Sequence, residues 1–429
     1  MIETADTADE PLVIVSADGH IGPRLVEDLR PLCPAKLLSA FDAYVEDPNR
    51  STGRYSPPPP PDSGEATQVM WRNRWTAGHH DPAARDRDLE FDGIVAEVIF
   101  HGSQNDEPVP FQTSMLGAPA DPELSAAGIH IYNRWLAEYC AAAPDRRAGL
   151  AHLPLWDMDA TLAELEFAAG AGLRGINFPA PRPWLPPYND RSWEPFWEAA
   201  AASGLPLTTH SGAGDPNVFG GPELTALMSI ESGGWFSRRA AHLMIFGGVF
   251  ERHPALRLVL TEQPGSWWDY TCNELDSVHV ANAGNPWLMK QVPRPPSEYL
   301  REHVYIGASF LSRDEARTAA EHGYVDRLMW GADYPHMEGT FQYPGIDDFT
   351  GQPSYTRLSL RFALAGMDEA SVRAVVGETA ATLYGLDLDE LRRVAARIGA
   401  PSYAELSEPV EAVPAGASSF AFRTMGPWA

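Results

Sequence analysis

Three cysteines (Cys33, Cys140, Cys272) in 429 residues are too few and too scattered for a disulfide framework or a zinc ribbon. The longest apolar-looking run, residues 243–250, falls far short of the roughly 20 residues a membrane span needs. Basic residues are scarce: 32 Lys and Arg against 58 Asp and Glu leave a net charge of −26. That argues against a nucleic-acid binder, which needs a basic face, and against attraction to anionic lipid. No Gly-x-Gly-x-x-Gly follows the first strand-like run and no P-loop occurs. Dinucleotide binding and nucleotide hydrolysis therefore lack a motif. The N-terminal stretch is acidic and polar and does not read as a secretion signal. A cytoplasmic protein that meets neither nucleic acid nor membrane is the expectation.

What is present follows one alternating pattern. The chain is 44% hydrophobic and 21% charged, and long enough to bury a sizeable core. Short β-like runs recur at residues 12–17, 94–100, 148–154, 173–178, 205–210, 256–261, 304–309 and 327–333. Between them, residues 160–169 and 193–203 repeat apolar side chains at helical spacing and stop at Gly170 and Gly204. Near-continuous apolar strands alternating with helices imply a parallel sheet. Eight such units predict an α/β fold of the (β/α)8 TIM-barrel type, with a doubly wound open sheet as the rival. The expected organisation is a barrel over residues 1–399 and an irregular tail over 400–429. An insertion at 22–91 follows the first strand and holds a proline run, 57–61, expected to be extended polyproline II. Helical patterns close the barrel over 357–397.

In such a barrel the active site lies at the C-terminal strand ends. The first run ends in Asp18-Gly19-His20, where alternation puts Asp18 and His20 on one side. The second ends in His101, the fifth in His210, the sixth in Glu262 and the eighth in Asp333, with His336 just beyond. Imidazoles and carboxylates are the groups that hold zinc, iron or manganese. Each residue alone has a plainer reading: a satisfied histidine, a helix cap at Glu262, a turn former at Asp18 or Asp333. Their coincidence at one rim favours a joint metal site. His152 reads as pointing outward, His253 as structural, and the pair His79-His80 as solvent-exposed.

The opening Ser16-Ala17-Asp18-Gly19-His20 resembles the first-strand motif of the amidohydrolase-related, metal-dependent barrels, in which Asp-x-His often replaces His-x-His. His210 in Leu207-Thr208-Thr209-His210-Ser211-Gly212 resembles that superfamily's strand-five ligand. Residues 250–257 resemble its lead into strand six, and residues 330–336 its strand-eight aspartate motif. The resemblance covers most of residues 12–386 and leaves out the proline run and the tail. Two departures bear on function. Hydrolytic members commonly end strand six in histidine, where this chain has Glu262. The strand-four lysine or glutamate that bridges two metals has no counterpart at Asn177-Phe178-Pro179. Asp-Gly-His, the strand-six glutamate and the longer string from Gly331 to Thr340 together resemble a branch of nonheme diiron monooxygenases. That branch acts largely on acyl groups linked to coenzyme A and is typified by the hydroxylases of platensimycin-type diterpenoid biosynthesis.

The resemblance implies two Fe ions, or Zn or Mn instead, held by Asp18, His20, His101, His210, Glu262, Asp333 and His336. Glu262 is the group placed to reach between two ions. Asp333, Glu262 and His210 are the candidate catalytic residues. The implied reaction is O2-dependent hydroxylation of a C–H bond in a bulky hydrophobic substrate. Electrons would come from a separate reductase, since the chain shows no flavin or nicotinamide motif. The alternative is an amidohydrolase-type hydrolase or a nonoxidative decarboxylase. Thirteen tryptophans is a high count for this length. Trp71, Arg72, Arg74 and Trp75 in the insertion, with Trp267 after Glu262, point to an aromatic pocket with arginines at its mouth. Such a pocket suits a bulky small-molecule acid or its CoA thioester. A homodimer is what the superfamily implies.

Overall fold

The computed structural model describes residues 9–47, 71–112, 117–211, 235–263, 265–410, 412 and 422. The proline run 57–61 lies outside the described residues. Eight strands form one sheet in chain order: β1 (Val15–Ile21), β2 (Ala96–His101), β3 (Arg147–Ala151), β4 (Gly175–Asn177), β5 (Leu207–His210), β6 (Leu258–Thr261), β7 (Val304–Ser309) and β8 (Leu328–Gly331). Every neighbouring pair is parallel. The ends of the series meet: Asp333 N donates to Asp18 O at 2.9 Å and His20 N to Tyr334 O at 2.6 Å. The fold is thus the expected (β/α)8 barrel. An open doubly wound sheet would hold its first strand in the middle and leave two free edges.

β1 starts and ends later than its β-like run, so Asp18-Gly19-His20 lies within the strand. Its pairing with β2 shifts register between Ser16 and Gly19. Ser16 bridges the interruption: its Oγ donates to Asp18 O at 2.5 Å and accepts from Ala332 N at 2.9 Å. The strand interiors are apolar because both faces are covered. Val15, Ala17, Val98, Phe100, Leu150, Val259 and Met329 pack in one cluster that Ala380, Ala381 and Tyr384 join, and Tyr384 Oη meets Thr208 Oγ1 at 3.1 Å. Outside the sheet, Phe178, Tyr188, Trp193, Phe196 and Trp197 form one aromatic stack within the larger core. Burying each such side chain stabilises the fold by roughly 1.5–3 kcal/mol. Much of the tryptophan count is therefore core.

The helices follow their sequence signals. Pro82–Asp92 has Pro82 in its first turn, Asp81 accepting from Ala84 N, and Gly93 at φ +82° as its stop. Pro122–Ala141 and Met158–Gly170 are capped by Asp121 and Asp157. Glu194–Ser203 ends at Gly204, whose φ is +69°. At the start of the 400–429 segment, Ser402 bridges Pro11 and Tyr403–Ser407 is a short helix with Leu406 in the core. No helix among the described residues is long and apolar enough to cross a membrane. The three cysteines are free and buried.

Candidate metal centre

Asp18 and His20 share the inner face of β1, as alternation requires, with His20 Nε2 3.2 Å from Asp18 Oδ1. Gly19 faces outward, where a Cβ would come within 2.6 Å of Glu97 Oε2. Glycine is needed there because Arg85 and Glu97 form a fully buried two-armed ion pair, at 2.5 and 2.6 Å. Arg85 Nη1 also donates to His20 O at 2.7 Å. Removing one partner would strand a buried charge, at a cost of about 3–5 kcal/mol.

His210 ends β5 and turns its Nε2 to Asp18 Oδ1 at 3.4 Å. Asp333 follows β8 and lies 3.2 Å from His20 Nε2 and 2.9 Å from His336 Nδ1. A Cβ at Gly331 would come within 2.7 Å of Asp18 Cβ, so the glycine of Gly331-Ala332-Asp333 leaves room for the carboxylate beside it. Glu262 breaks strand parity. Leu258 and Leu260 face the outer core, and Glu262 would follow them, but its φ of +54° swings the side chain back to the rim. Asp333 has the same positive φ. Left-handed backbone at a non-glycine residue is costly and concentrates at functional positions. Glu262 Oε2 lies 3.6 Å from His210 Nδ1 and accepts from Ser211 Oγ.

The three imidazoles are arranged alike. His20 Nδ1 faces His101 O at 3.2 Å, His210 Nδ1 faces Ser211 O at 2.8 Å, and His336 Nε2 faces Gly102 O at 2.8 Å. Each ring donates one N–H to a backbone carbonyl and turns its other nitrogen toward Asp18 or Asp333. This is how metal-binding histidines are oriented. Asp18 Oδ1, His20 Nε2, His210 Nε2 and both Asp333 oxygens are buried without a hydrogen-bond partner among the described residues. Three groups of ligand atoms each lie within 4.8 Å: Asp18/His20/His210, His20/Asp333/His336 and Glu262/Asp333/Glu338. Buried polar atoms of this kind are expensive unless something binds them. A mixed carboxylate and imidazole set fits a divalent transition metal.

The electrostatics ask for a cation. Burial pushes the Asp18 carboxyl up, but His210 and His20 outweigh it and hold it far below the carboxylate range. Asp333 is likewise lowered: His336 and His20 overcome burial. Burial pulls His210 down, yet Asp18 and Glu262 raise it to about 10. Burial lifts Glu262 to about 8, with His210 opposing and Asp333 and Asp18 reinforcing.

Several sequence expectations are corrected. The His101 ring is not brought to the cluster. Parity on β2 turns Phe100 inward, against His20 and His210, while His101 sits edge-on to Tyr132 at 5.1 Å. What His101 contributes is its carbonyl, which anchors His20. Nor do Trp71, Arg72, Arg74, Trp75 or Trp267 line the cavity of about 430 Å³ above the cluster among the described residues. Arg74 stacks on Trp71 and pairs with Asp106 at 2.6 Å, Trp267 Nε1 donates to Gln263 O, and Arg72 and Trp75 are exposed. These side chains satisfy one another or meet water.

Ser309 and Glu338 went unnoticed in the sequence, and His152 and His79 were misplaced. Ser309, inward at the end of β7, donates to Asp18 Oδ2 at 2.5 Å. Glu338 belongs to the third ligand group and takes Gln104 Nε2 at 3.1 Å; it lay in plain view within the Gly331–Thr340 string. His152 does not point outward but lines the cavity, and His79 is buried between Ser103 Oγ and Asn73 O, both at 3.0 Å. Asn73 donates to His336 O and Phe341 O and accepts from Tyr343 N. The insertion thus braces both ligand-bearing turns, through Asn73 at β8 and Arg85 at β1.

Closed parallel barrel and inward acid–imidazole rim define a metal-dependent barrel enzyme. The chain belongs to the amidohydrolase family, which matches residues 102–386. Gamma-resorcylate decarboxylase from Polaromonas sp. (strain JS666 / ATCC BAA-500) is 28% identical over 222 residues, 47% of this chain and 64% of that protein. The matched stretch is thus under two thirds of the relative's length. Two of the solved structures that share the fold are decarboxylases. The 5-carboxyvanillate decarboxylase from Sphingomonas paucimobilis is 21% identical, with a TM-score of 0.60 over 88% of this chain and 100% of that one. A 5-carboxyvanillate decarboxylase from Novosphingobium aromaticivorans DSM 12444, solved with manganese, is 18% identical, with a TM-score of 0.59 over 87% of this chain and 97% of that one.

Proposed function

We propose that this protein is a divalent-metal-dependent nonoxidative decarboxylase of an aromatic carboxylate. One observation carries the reading: Asp18, His20, His210 and Asp333 converge with buried ligand atoms that nothing else satisfies. The named activities of the relatives supply the reaction class. An ion held by Asp18, His20, His210 and Asp333 would polarise the substrate's acid group and an adjacent oxygen.

The protein's own groups do the rest. The loop after β6 presents Glu262 at the cavity wall, and Glu262 holds a proton at neutral pH because burial and nearby Asp333 and Asp18 raise its pKa. Ser211 Oγ engages Oε2, which leaves the proton on Oε1. The bond from ring carbon to carboxyl carbon breaks, the electron pair stays on the ring carbon, and that carbon takes the Glu262 proton as CO2 leaves. Phe100, flat against His20, excludes water from the inner side. The test is CO2 release from hydroxybenzoates by manganese-loaded protein under anaerobic conditions, abolished by chelation.

A second reading rests on the third ligand group. Glu262, Asp333 and Glu338 add donors beyond what one ion needs, which suits two irons and O2-dependent hydroxylation of a bulky acid or thioester. Two irons per chain, with O2 uptake that requires substrate and an electron donor, would favour it.

A further inference from the structure

We infer that His152 and Asn177 form an uncharged subsite that selects a substrate hydroxyl on the part of the ring remote from the acid group. The inference deepens the decarboxylase reading and rests on it. β3 ends at Ala151, and the next residue is held by other means. Asn133, buried on helix Pro122–Ala141, accepts from His152 N at 3.0 Å and donates to His152 O at 2.8 Å. Its Nδ2 also donates to Glu164 Oε1 at 2.8 Å. A buried amide is thus spent on fixing one rim residue. The His152 ring stands edge-on to Tyr132 at 5.3 Å.

Among the described residues, the only side-chain hydrogen bond of His152 or Asn177 is the one between them, at 3.2 Å. With Asn177 Nδ2 donating to His152 Nε2, the ring proton sits on Nδ1 and Asn177 Oδ1 is left as an acceptor. Both residues line the cavity that also holds His20, His210 and Glu262. One molecule can therefore touch the ligand cluster and this pair together. Burial keeps His152 at about 4, so it is neutral, and no carboxylate among the described residues contacts it. A neutral donor beside a neutral acceptor matches a hydroxyl, which is both. A second carboxylate would meet the acceptor, and a bare ring would leave both groups unpaired, a mismatch that polar sites reject strongly.

The experiment uses manganese-loaded protein with benzoate, 3-hydroxybenzoate and 4-hydroxybenzoate as probes, and reads binding by calorimetry. At least one hydroxybenzoate is expected to bind tenfold or more tighter than benzoate. Asn177→Leu and His152→Phe should erase that difference, weakening the hydroxybenzoate while benzoate binds as well or better and manganese content stays within twofold. Should His152→Phe fail to fold, Asn177→Ala leaves His152 and its Asn133 clamp in place and carries the test. Equal affinity for all three probes, or equal loss of all three in the variants, overturns the subsite and leaves the decarboxylase reading standing. If none of the three binds, benzoate included, the aromatic-acid reading falls and the subsite with it.

Discussion

Two sets of imidazoles share one rim and behave differently. His20, His210 and His336 each face a carboxylate and are anchored by a backbone carbonyl. His101 and His152 lie over β2–β4, against Tyr132 and, for His152, the amide of Asn177, with no carboxylate in contact among the described residues. In the first set, Asp18 and Glu262 draw positive charge to the His210 ring; in the second, burial expels it, holding His101 at about 3. A histidine at a strand end becomes a candidate ligand only when its side-chain parity points inward and an acid waits there. On the proposed reading the first set surrounds a cation and the second meets a neutral group.

The hardest challenge to that division is a pair of substitutions. Asp333→Ala should empty the metal site and cut turnover at least a thousandfold, whereas His101→Gln should leave metal content unchanged. Elemental analysis of both proteins decides the matter, and metal loss in the second would end the comparison. Next comes Glu262→Gln. Turnover should fall by roughly a hundredfold or more, the usual contribution of a positioned acid. The acid form is the active one, so wild-type rate should be full below about pH 8 and decline above it, and the variant should lack that limb. A lowered metal count in the variant would instead place Glu262 among ligands of a second ion.

A smaller effect is expected at the brace. Asn73→Ala removes the hydrogen bonds to His336 O, Phe341 O and Tyr343 N, and metal affinity should weaken by about tenfold, as for other supports behind a metal ligand. Titration with manganese measures it. The mildest test is the pH dependence of stability in metal-free protein. His101 and His152 stay neutral when folded but take protons near pH 6.5 when unfolded, so stability is full above that pH and falls toward pH 4. The slope is about 1.4 kcal/mol per pH unit for each group. His210 works the other way. Its raised pKa contributes stability fully below pH 6.5, lost as pH rises through about 10. Urea unfolding of His152→Gln should show a shallower loss on the acid side, and His210→Gln should flatten the decline between about pH 6.5 and 10 and lower stability below it.

Sequence alone determined the eight β-like units, the barrel they build and the candidate ligands Asp18, His20, His210, Glu262 and Asp333. Hydrophobic alternation and residue type are local properties, and a strand end can be located from its own neighbours. The tertiary structure decided what local pattern cannot contain. His101 was placed one residue out of phase, because inward and outward at β2 are set by its register against β1. Glu262 reaches the rim through a left-handed turn that no motif announces. Among the described residues the insertion braces the site and does not wall the pocket, since Asn73, His79 and Arg85 find their partners on distant strands. Closure of the ring brings those partners together, and only closure determines which face of each strand end meets which charge.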